Sequence, residues 1–477
     1  MNVLVDNVVK KYSLGPDLMK RVLHAAHDNF KKGLRKNDNA DACIKMLPTY
    51  VTGLPNGSEA GTYVALDLGG TNFRVLLIKI PEKAGENGKK DCNIDSRIYR
   101  VPKDKMEGTA NELFDHIATC IQNFVQIMGY EEKAKGGDDI PLGFTFSFPC
   151  RQESLDSAVL MNWTKGFNCA GAEGEDVGKM LKDAMNRRQD MQSLKVVAIC
   201  NDTVGTQMSC AFEHPDCKIG LIMGTGSNAC YIEKTEHIEM LSPEVREQSS
   251  HMIINTEWGN FGSDGALDFI VTEFDREVDS NTHNKGRQIF EKLMAGMYLG
   301  EIVRLIMRRL FTNGLLFHNE RVPKLFDNFS IDTSFLSMVE DCDIDDIVTI
   351  QNIIAMTLDI GALRNDCEIV HQVCKVVSSR SAKLCACAIS ALALKIGDIE
   401  PDQSVQGEGL TITCGVDGSV FRKHPTFATE LKQNTAELLK DNNIRVKYTL
   451  SHDGSGKGAA LTVAVASRLA RESGDSM

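Results

Sequence analysis

Apolar positions recur along this chain at two spacings, one typical of helices and one typical of strands. Near the amino terminus they recur every fourth residue, at Leu18, Val22, Ala26 and Phe30. That spacing places them on one face of a predicted amphipathic helix. Shorter apolar runs over residues 63–66, 142–146 and 195–200 predict buried strands, each of which stops at polar or glycine residues.

The first of these strands ends in a glycine turn. In the run DLGGTNFRVLLIKI, Asp67 is followed by the glycines Gly69 and Gly70, which lack Cβ and let backbone N–H groups approach phosphate oxygens closely. Thr71 adds a hydroxyl donor and Arg74 a planar cationic fork. Asp67 is then placed to hold Mg²⁺ through water. Taken alone, such a turn usually only joins two strands.

Further glycine turns follow predicted strands elsewhere in the chain. The run GLIMGTGSNACYIE places Gly224, Thr225 and Gly226 between two strands. Near the carboxyl terminus, CGVDGSV at 414–420 and SHDGSGKGAA at 451–460 each follow a strand and precede helical sequence. Repetition of a phosphate-type turn indicates a duplicated architecture with a nucleotide site.

Polar residues at strand ends supply the candidate chemistry. The strand over 195–200 ends at Asn201 and Asp202, and Thr203 opens a predicted helix. Polar pairs at the carboxyl ends of strands are where α/β folds keep their reactive groups.

Two other segments, NWTKGF at 162–167 and INTEWGNFGSDG at 254–265, combine hydrogen-bonding side chains with an aromatic ring. This combination suits a hydroxyl-rich ligand. Both tryptophans of the chain, Trp163 and Trp258, lie in these segments. The candidate ligands are Ser147, Thr164, Lys165, Glu257 and Glu291. Each has an ordinary alternative: Ser147 could close a strand, Lys165 could be a surface charge, and Glu257 could cap a loop.

Composition narrows the function classes. With 477 residues, 42% hydrophobic and 25% charged, the chain is long enough for two globular domains. A formal net charge of −12 argues against nucleic acid and anionic membranes as partners. Fifteen cysteines without paired metal spacing fit a reducing cytosol and a cytoplasmic location. We expect no membrane span, since no apolar stretch reaches about 20 residues, and the first residues lack the features of a signal peptide.

Taken together, the motifs resemble the hexokinase family, the sugar kinases of the actin and heat-shock ATPase fold. The resembling segments run over nearly the whole chain: LDLGGTNFRVLL, LGFTFSFPC, NWTKGF, NDTVGT, GTGSNACY, NTEWG, FEKLMAGMYLGEIVR, GVDGSV and DGSGKGAA. The resemblance implies a two-lobed α/β fold, with duplicated mixed sheets around a central cleft. It also implies ATP-dependent phosphorylation of the 6-hydroxyl of glucose, with mannose and fructose as further substrates, as the first step of glycolysis.

The resemblance also assigns roles to residues. Asp202 is similar to the general base, with Lys165 and Arg74 as further catalytic residues. The implied sugar ligands are Ser147, Thr164, Lys165, Asn201, Asp202, Asn228, Glu257 and Glu291. The implied ATP-binding residues are Asp67, Gly69, Gly70, Thr71, Asn72, Arg74, Thr225, Gly415, Asp417, Ser419, Ser455 and Gly456. Three positions depart from the family pattern, namely Ser227, Ser263 and His452.

We expect a small lobe of residues 61–200 plus 452–477 and a large lobe of residues 1–60 plus 201–451, closing on the sugar. Two rivals remain: a nucleotide-driven conformational protein without a sugar site, and a sugar sensor without catalysis. Substrate breadth, product inhibition and cooperativity are left open by the sequence. So are assembly as monomer or homodimer and docking to mitochondria.

Overall fold

Two mixed β-sheets with the same internal pattern form the frame of the protein. The structure, a computed structural model, describes residues 3–70, 72–83, 85, 90–130, 139–188, 190–399, 409–451 and 453–474. Its strands are β1 Leu47–Pro48, β2 Gly61–Leu68, β3 Asn72–Ile80, β4 Asn93–Arg100, β5 Ile140–Phe146, β6 Cys150–Ser154, β7 Ser157–Leu160, β8 Leu194–Cys200, β9 Cys217–Met223, β10 Ser227–Lys234, β11 His251–Asn255, β12 Leu410–Asp417 and β13 Ile444–Leu450.

The first sheet has the order β4-β3-β2-β5-β8 and the second the order β1-β11-β10-β9-β12-β13. In the first, β4, β3 and β2 run antiparallel, and β5 and β8 are added in parallel. The second repeats this pattern, with β11, β10 and β9 antiparallel and β12 and β13 parallel. The duplication predicted from the glycine turns is therefore present in the sheets.

Sixteen α-helices are described. They are α1 Val3–Tyr12, α2 Pro16–Leu34, α3 Lys103–Met106, α4 Ala110–Ile127, α5 Val177–Asn186, α6 Asp202–Glu213, α7 Pro243–Gln248, α8 Glu273–Ser280, α9 Ile289–Met294, α10 Gly296–Thr312, α11 Thr333–Asp341, α12 Ile347–Leu358, α13 Arg364–Ile399, α14 Ser419–Lys423, α15 Phe427–Leu439 and α16 Gly454–Ser473. The amphipathic helix predicted near the amino terminus is α2, and α6 begins at Asp202, one residue earlier than predicted.

Helices cover both faces of the first sheet. On one face Phe114 and Ile117 of α4 pack with Phe144 in a continuous apolar cluster. On the other face α16 lies very close to the strands, because a Cβ added at Gly143 would lie 2.5 Å from the Ala459 carbonyl oxygen. Glycine at this position lets the helix backbone approach the sheet.

Helices α6 and α16 cross at the centre of the molecule, between the two sheets. A Cβ added at Gly458 would lie 2.0 Å from the Gly205 carbonyl oxygen, so the two helix backbones are in direct contact. Helix α6 also packs on β9 and β12, and α16 on β2, β5 and β8. The amino-terminal end of α6, which carries Asp202, is thereby fixed relative to both sheets.

The second sheet packs on α2 and the long helix α13. Phe30, Leu221 and Leu384 belong to one buried cluster. Cys385 and Cys387 of α13 are fully buried and belong to the same cluster. None of the helices in the described part of the chain is long and apolar enough to cross a membrane.

Candidate functional site

Lys165 connects two other predicted site residues, Ser147 and Asp202. Its Nζ donates to the carbonyl oxygen of Ser147 at 2.8 Å and lies 3.8 Å from Oδ2 of Asp202. Asp202 is the first residue of α6, where the unpaired N–H groups of the helix favour a negative charge. The preceding residue, Asn201, caps this helix, since its Oδ1 accepts from the N–H and the hydroxyl of Thr203 at 3.0 and 2.8 Å.

A second group of predicted ligands lies at the end of β11. Glu257 follows this strand in the left-handed conformation, with φ of 53°. Its Oε1 accepts from Nδ2 of Asn255 at 2.8 Å and from Nδ2 of Asn228 at 3.3 Å. Burial raises the pKa of Glu257 to about 7, an effect opposed by the Asn255 hydrogen bond and by Lys165 and reinforced by Asp202.

Glu291 completes the carboxylate group from the start of α9. Its Oε2 accepts from the backbone N–H of Ser227 at 3.1 Å, and a Cβ added at Gly226 would lie 2.7 Å from that oxygen. Burial also raises the pKa of Glu291, and the charges of Lys165 and Asp202 act on it in opposite directions. Three carboxyl groups from different elements therefore share one electrostatic environment with Lys165.

The first glycine turn lies beside this group. The backbone N–H of Ser147 donates to the Leu68 carbonyl at 3.1 Å, and a Cβ added at Gly69 would lie 3.3 Å from Ser147 Oγ. Apart from its two chain neighbours, no described residue has an atom within 4 Å of a Cβ built at Gly70. A phosphate held by this turn would be adjacent to a ligand held near Ser147.

Arg74 ties the same turn to the start of α16. Its Nε and Nη2 donate to Oδ2 of Asp67 at 3.1 and 2.9 Å, and Nη2 also donates to Oδ1 of Asp453 at 2.5 Å. Ser455 Oγ donates to the same oxygen of Asp67 at 2.8 Å. Burial raises the pKa of Asp67, while the Arg74 charge opposes that rise.

The Asp67 carboxylate suits a magnesium ion held together with phosphate oxygens, because Mg²⁺ commonly binds through one or two carboxylates and retained waters. Among the described residues there is no group of three or more His, Cys, Asp or Glu side chains that could hold a metal ion by themselves. The donor set therefore fits a metal that arrives with a nucleotide, rather than one enclosed by protein ligands.

The second glycine turn contacts two other segments, at Gly418 and at Gly296 and Met297. A Cβ at Gly224 would lie 3.3 Å from Cα of Gly418, whose φ is 119°. The carbonyl oxygens of Gly224 and Thr225 accept from the N–H groups of Gly296 and Met297 at 2.9 and 3.0 Å. Met297 is 55% exposed beside this turn. It was not among the residues predicted from the sequence.

Some predicted nucleotide ligands have other contacts. Gly415 lies inside β12, where a Cβ would be 2.5 Å from Cβ of Cys210 in α6, so packing explains this glycine. Oδ1 of Asp417 accepts from the N–H of Gly418 at 2.7 Å and from Nη2 of Arg422 at 2.8 Å. Gly456 packs close to Leu76, with Cδ2 only 2.8 Å from an added Cβ.

The remaining predicted residues are less constrained. Asn72 begins β3 and is exposed, Ser419 begins α14, and Thr164 is partly buried next to Lys165. Thr71 and His452 lie outside the described residues. The departure at Ser263 is accommodated locally, since its hydroxyl donates to Oδ1 of Asn260 at 2.9 Å.

Sequence reasoning missed Asn255 and Asp453. Asn255 lies within the NTEWG segment and Asp453 within DGSGKGAA. Polar residues at the ends of β11 and β13 were a sequence feature that could have identified them. Their partners are distant in sequence, however, since Arg74 and Asp453 are 379 positions apart.

Comparison with known proteins shows which family the chain resembles. Two family models, both described as Hexokinase, match residues 4–212 and 218–465. Hexokinase-2 of Rattus norvegicus is 43% identical over 466 residues, which are 98% of this chain and 48% of that protein. Hexokinase HKDC1 of Homo sapiens is 44% identical over 467 residues, with the same coverage of 98% and 48%. The chain thus spans about half the length of these curated relatives.

Among solved structures, a hexokinase from Schistosoma mansoni complexed with glucose has a TM-score of 0.85 and 36% sequence identity to this chain. The match covers 97% of this chain and 98% of that one. This similarity and the duplicated mixed sheets confirm the predicted fold class, a two-lobed α/β fold.

Proposed function

The chain belongs to the hexokinase family, and on that premise we propose that it transfers the terminal phosphoryl group of ATP to the 6-hydroxyl of glucose and related hexoses. The observation that carries the proposal is the position of Lys165, with Nζ 2.8 Å from the Ser147 carbonyl and 3.8 Å from Asp202 Oδ2. Lys165 thereby links Asp202, the predicted proton acceptor, to Ser147, which lies beside the first glycine turn. The solved relative with glucose supports a hexose as the acceptor.

Asp202 is proposed as the general base. Phosphoryl transfer through a loose transition state requires in-line positioning, and a base takes the hydroxyl proton late. The carboxylate of Asp202 is 19% exposed and begins α6, so it can reach a bound hydroxyl while the helix holds its backbone. A positioned base contributes about 10²–10⁴-fold to the rate.

Amide and carboxylate side chains are proposed to orient the sugar. Fixed hydrogen-bond acceptors and donors are proposed to come from Asn228, Glu257 and Glu291. Further sugar ligands are proposed to be Ser147, Thr164 and Asn201. A site built to bond hydroxyl groups rejects an analogue that lacks one of them, because a buried polar group is then left unpaired.

The nucleotide is proposed to lie between the two glycine turns. The first turn and Ser455 would face the phosphates, and Thr225, Gly418 and Met297 would face the rest of the nucleotide. Asp67 would hold Mg²⁺ through water, and the bound ion would neutralise charge on the transferring phosphoryl group. Arg74 orients Asp67 by its two hydrogen bonds.

Closure of two lobes is part of this proposal. Residues 61–200 with 452–477 would form the small lobe, and residues 1–60 with 201–451 the large lobe. Each sheet packs on its own apolar cluster, which supports the division, and a further cluster that includes Ala65, Met208 and Cys230 lies between them. Since water competes as a nucleophile, assembly of the site only after sugar binding would limit hydrolysis of ATP.

A coupled ADP-release assay with glucose, mannose, fructose and no sugar tests the proposal. We expect sugar-dependent turnover, and a loss of at least about 10²-fold in kcat in Asp202→Ala with glucose binding retained. Asp17→Ala, which removes an acidic residue from the first turn of α2, is the matched control and should leave kcat unchanged.

The rivals give different results in the same assay. A conformational ATPase would release ADP without sugar, and a sugar sensor would bind glucose without releasing ADP. Near-native turnover in Asp202→Ala would remove the general-base assignment while leaving the kinase activity in place.

A cytoplasmic location is also proposed. All fifteen cysteines are free thiols, and burial raises the pKa of thiols such as Cys385 and Cys387. Thiols in this state are compatible with a reducing compartment.

A further inference from the structure

Asn255 occupies the last position of β11 and contacts two of the proposed sugar ligands at once. It is 5% exposed. Its Nδ2 donates to Glu257 Oε1, and its Oδ1 accepts from Asn228 Nδ2, both at 2.8 Å. One side chain thus links a carboxylate and an amide that are proposed to face the same ligand.

The Asn228 amide is held from its other side as well. Its Oδ1 accepts from the N–H of Ala229 at 2.8 Å and from the hydroxyl of Thr256 at 3.2 Å. Its Nδ2 is shared between Asn255 and Glu257. Asn228, Asn255 and Glu257 therefore form a closed triangle of side chains.

The direction of the Asn255 amide follows from chemistry. An ionised carboxylate only accepts hydrogen bonds, so the NH₂ end of Asn255 faces Glu257 and the carbonyl end faces the NH₂ group of Asn228. Hydrogen bonds to a charged group are stronger than those between neutral groups. An aspartate at this position would place oxygen against oxygen.

Glu257 needs such support, because its backbone is in an uncommon conformation. It has φ of 53° and is followed by a 3₁₀-helix over Trp258–Asn260. A non-glycine residue in the left-handed region is kept there only when surrounding contacts determine it.

We propose that Asn255 is a positioning residue for sugar recognition, which holds the Glu257 carboxylate and the Asn228 amide in the orientation that receives sugar hydroxyl groups. This proposal rests on the proposed function, since it assigns a role within the same site. Asn255 acts through its neighbours, because both ends of its amide are occupied by them.

A pH dependence separates this role from a general contribution to folding. Burial raises the pKa of Glu257, and the charges of Asp202 and Glu291 add to that rise, whereas the Asn255 hydrogen bond and the charge of Lys165 lower it. Removal of the Asn255 hydrogen bond should raise that pKa further, so that more of the Glu257 carboxyl is protonated near neutrality. The loss of sugar affinity should then be largest near pH 7 and smaller near pH 9.

The test is calorimetric titration of the full chain with glucose between pH 6 and pH 9. Asn255→Ala should weaken glucose binding by about tenfold or more at pH 7, with a smaller loss at pH 9. Asn255→Asp, which keeps the side-chain volume, should weaken it further by placing a second carboxylate against Glu257. The KM for ATP should stay within about twofold of the wild-type value.

Asn39→Ala is the matched control. The Asn39 amide donates to the carbonyl oxygens of Gly33 and Lys45, so its removal also deletes two hydrogen bonds without touching the proposed ligands. It should lower the melting temperature and leave glucose affinity unchanged.

Each outcome is decisive. Unchanged glucose affinity in Asn255→Ala, a loss that does not vary with pH, or an equal loss in Asn39→Ala overturns the role of Asn255. If Asn255→Ala does not fold, unchanged affinity in Asn255→Asp overturns it. If Asn255→Ala weakens glucose binding as predicted but the wild type forms no sugar phosphate, the proposed function is overturned and the role of Asn255 stands. A wild-type chain that binds no hexose overturns both.

Discussion

Nζ of Lys165 lies 3.8 Å from Oδ2 of Asp202 while it donates to the Ser147 carbonyl oxygen at 2.8 Å. Lys165 adopts the left-handed conformation, with φ of 55°. This backbone turn and the following Gly166, with φ of 84°, direct the lysine from its loop toward the start of α6. The cation is thereby held between the proposed base and the strand end that adjoins the first glycine turn.

Lys165→Met should lower kcat/KM for glucose by about 10²-fold or more, the usual effect of removing one fixed donor near developing negative charge. The variant should fold, because the lysine side chain is 32% exposed. Steady-state kinetics and thermal melting measure the two effects separately.

Lys182→Met is the control for the loss of a lysine in an ion pair, since Lys182 pairs with Asp156 away from the site. Its kcat/KM should match the wild-type value. Equal kcat/KM in Lys165→Met and Lys182→Met would contradict a role for Lys165 in the reaction.

Stability should depend on pH through Glu257. Its pKa is about 7 in the folded protein and 4.5 for the ordinary carboxyl group. Between these values the folded state binds more protons than the unfolded state, so stability falls as the pH rises through this window and stays lower above it. Glu257→Gln, which cannot ionise, avoids this loss.

We therefore expect Glu257→Gln to exceed the wild-type free energy of unfolding by about 2 kcal/mol at pH 8, and by much less at pH 5. Urea unfolding at both pH values measures this difference. The same variant should bind glucose more weakly at pH 8. A gain that is equal at the two pH values would show that ionisation of Glu257 does not cause it.

Arg74→Lys should impair nucleotide use more than sugar binding. Lysine keeps the charge but cannot bond Asp67 and Asp453 together as the guanidinium does. We expect the KM for MgATP to rise about tenfold, with glucose affinity unchanged, as measured by initial rates and by titration calorimetry.

Arg468→Lys provides a control on helix α16, whose first residues Arg74 contacts from β3. Arg468 donates to Glu59 and to the Leu54 carbonyl at 3.0 and 3.1 Å, far along α16 from Arg74. Its replacement should reduce stability without changing the KM for MgATP. An unchanged KM in Arg74→Lys would mean that Arg74 only joins the turn to α16.

The fold could be predicted from the sequence where its pattern is local. Apolar runs that end in glycine turns identified β2, β9 and β12. Apolar residues at every fourth position identified α2. The role of each glycine could not be predicted. The sequence does not distinguish Gly70, which no described residue outside its two chain neighbours crowds, from Gly415, which packs against Cys210. That distinction depends on which helix lies across the strand.

Contacts between distant segments could not be predicted residue by residue. The Asn255 to Asn228 hydrogen bond depends on the antiparallel register of β10 and β11, in which Cys230 faces Asn255. The Arg74 to Asp453 pair depends on how α16 packs on the first sheet. The sequence does not show which strands pair with each other or how a distant helix packs on them, so neither contact could be identified from it.

Trp163 should report sugar binding better than Trp258, although both lie in segments that carry proposed sugar ligands. Trp258 is fully buried, and its Nε1 donates to Ser227 Oγ at 3.2 Å. Trp163 is partly buried, stacks on Phe167 with ring centroids 5.4 Å apart, and is followed by the proposed ligands Thr164 and Lys165. A movement of Thr164 or Lys165 when sugar binds should therefore change the surroundings of the Trp163 indole more directly.

We expect saturating glucose to change the fluorescence emission of the wild type, and the change to be almost absent in Trp163→Phe and largely kept in Trp258→Phe. Calorimetry on both variants must show that glucose still binds, because loss of binding would also abolish the change. An undiminished change in Trp163→Phe would assign the response to Trp258. Since that indole is enclosed and hydrogen-bonded to Ser227, whose N–H binds Glu291, the second sheet itself would then have to rearrange when the sugar binds.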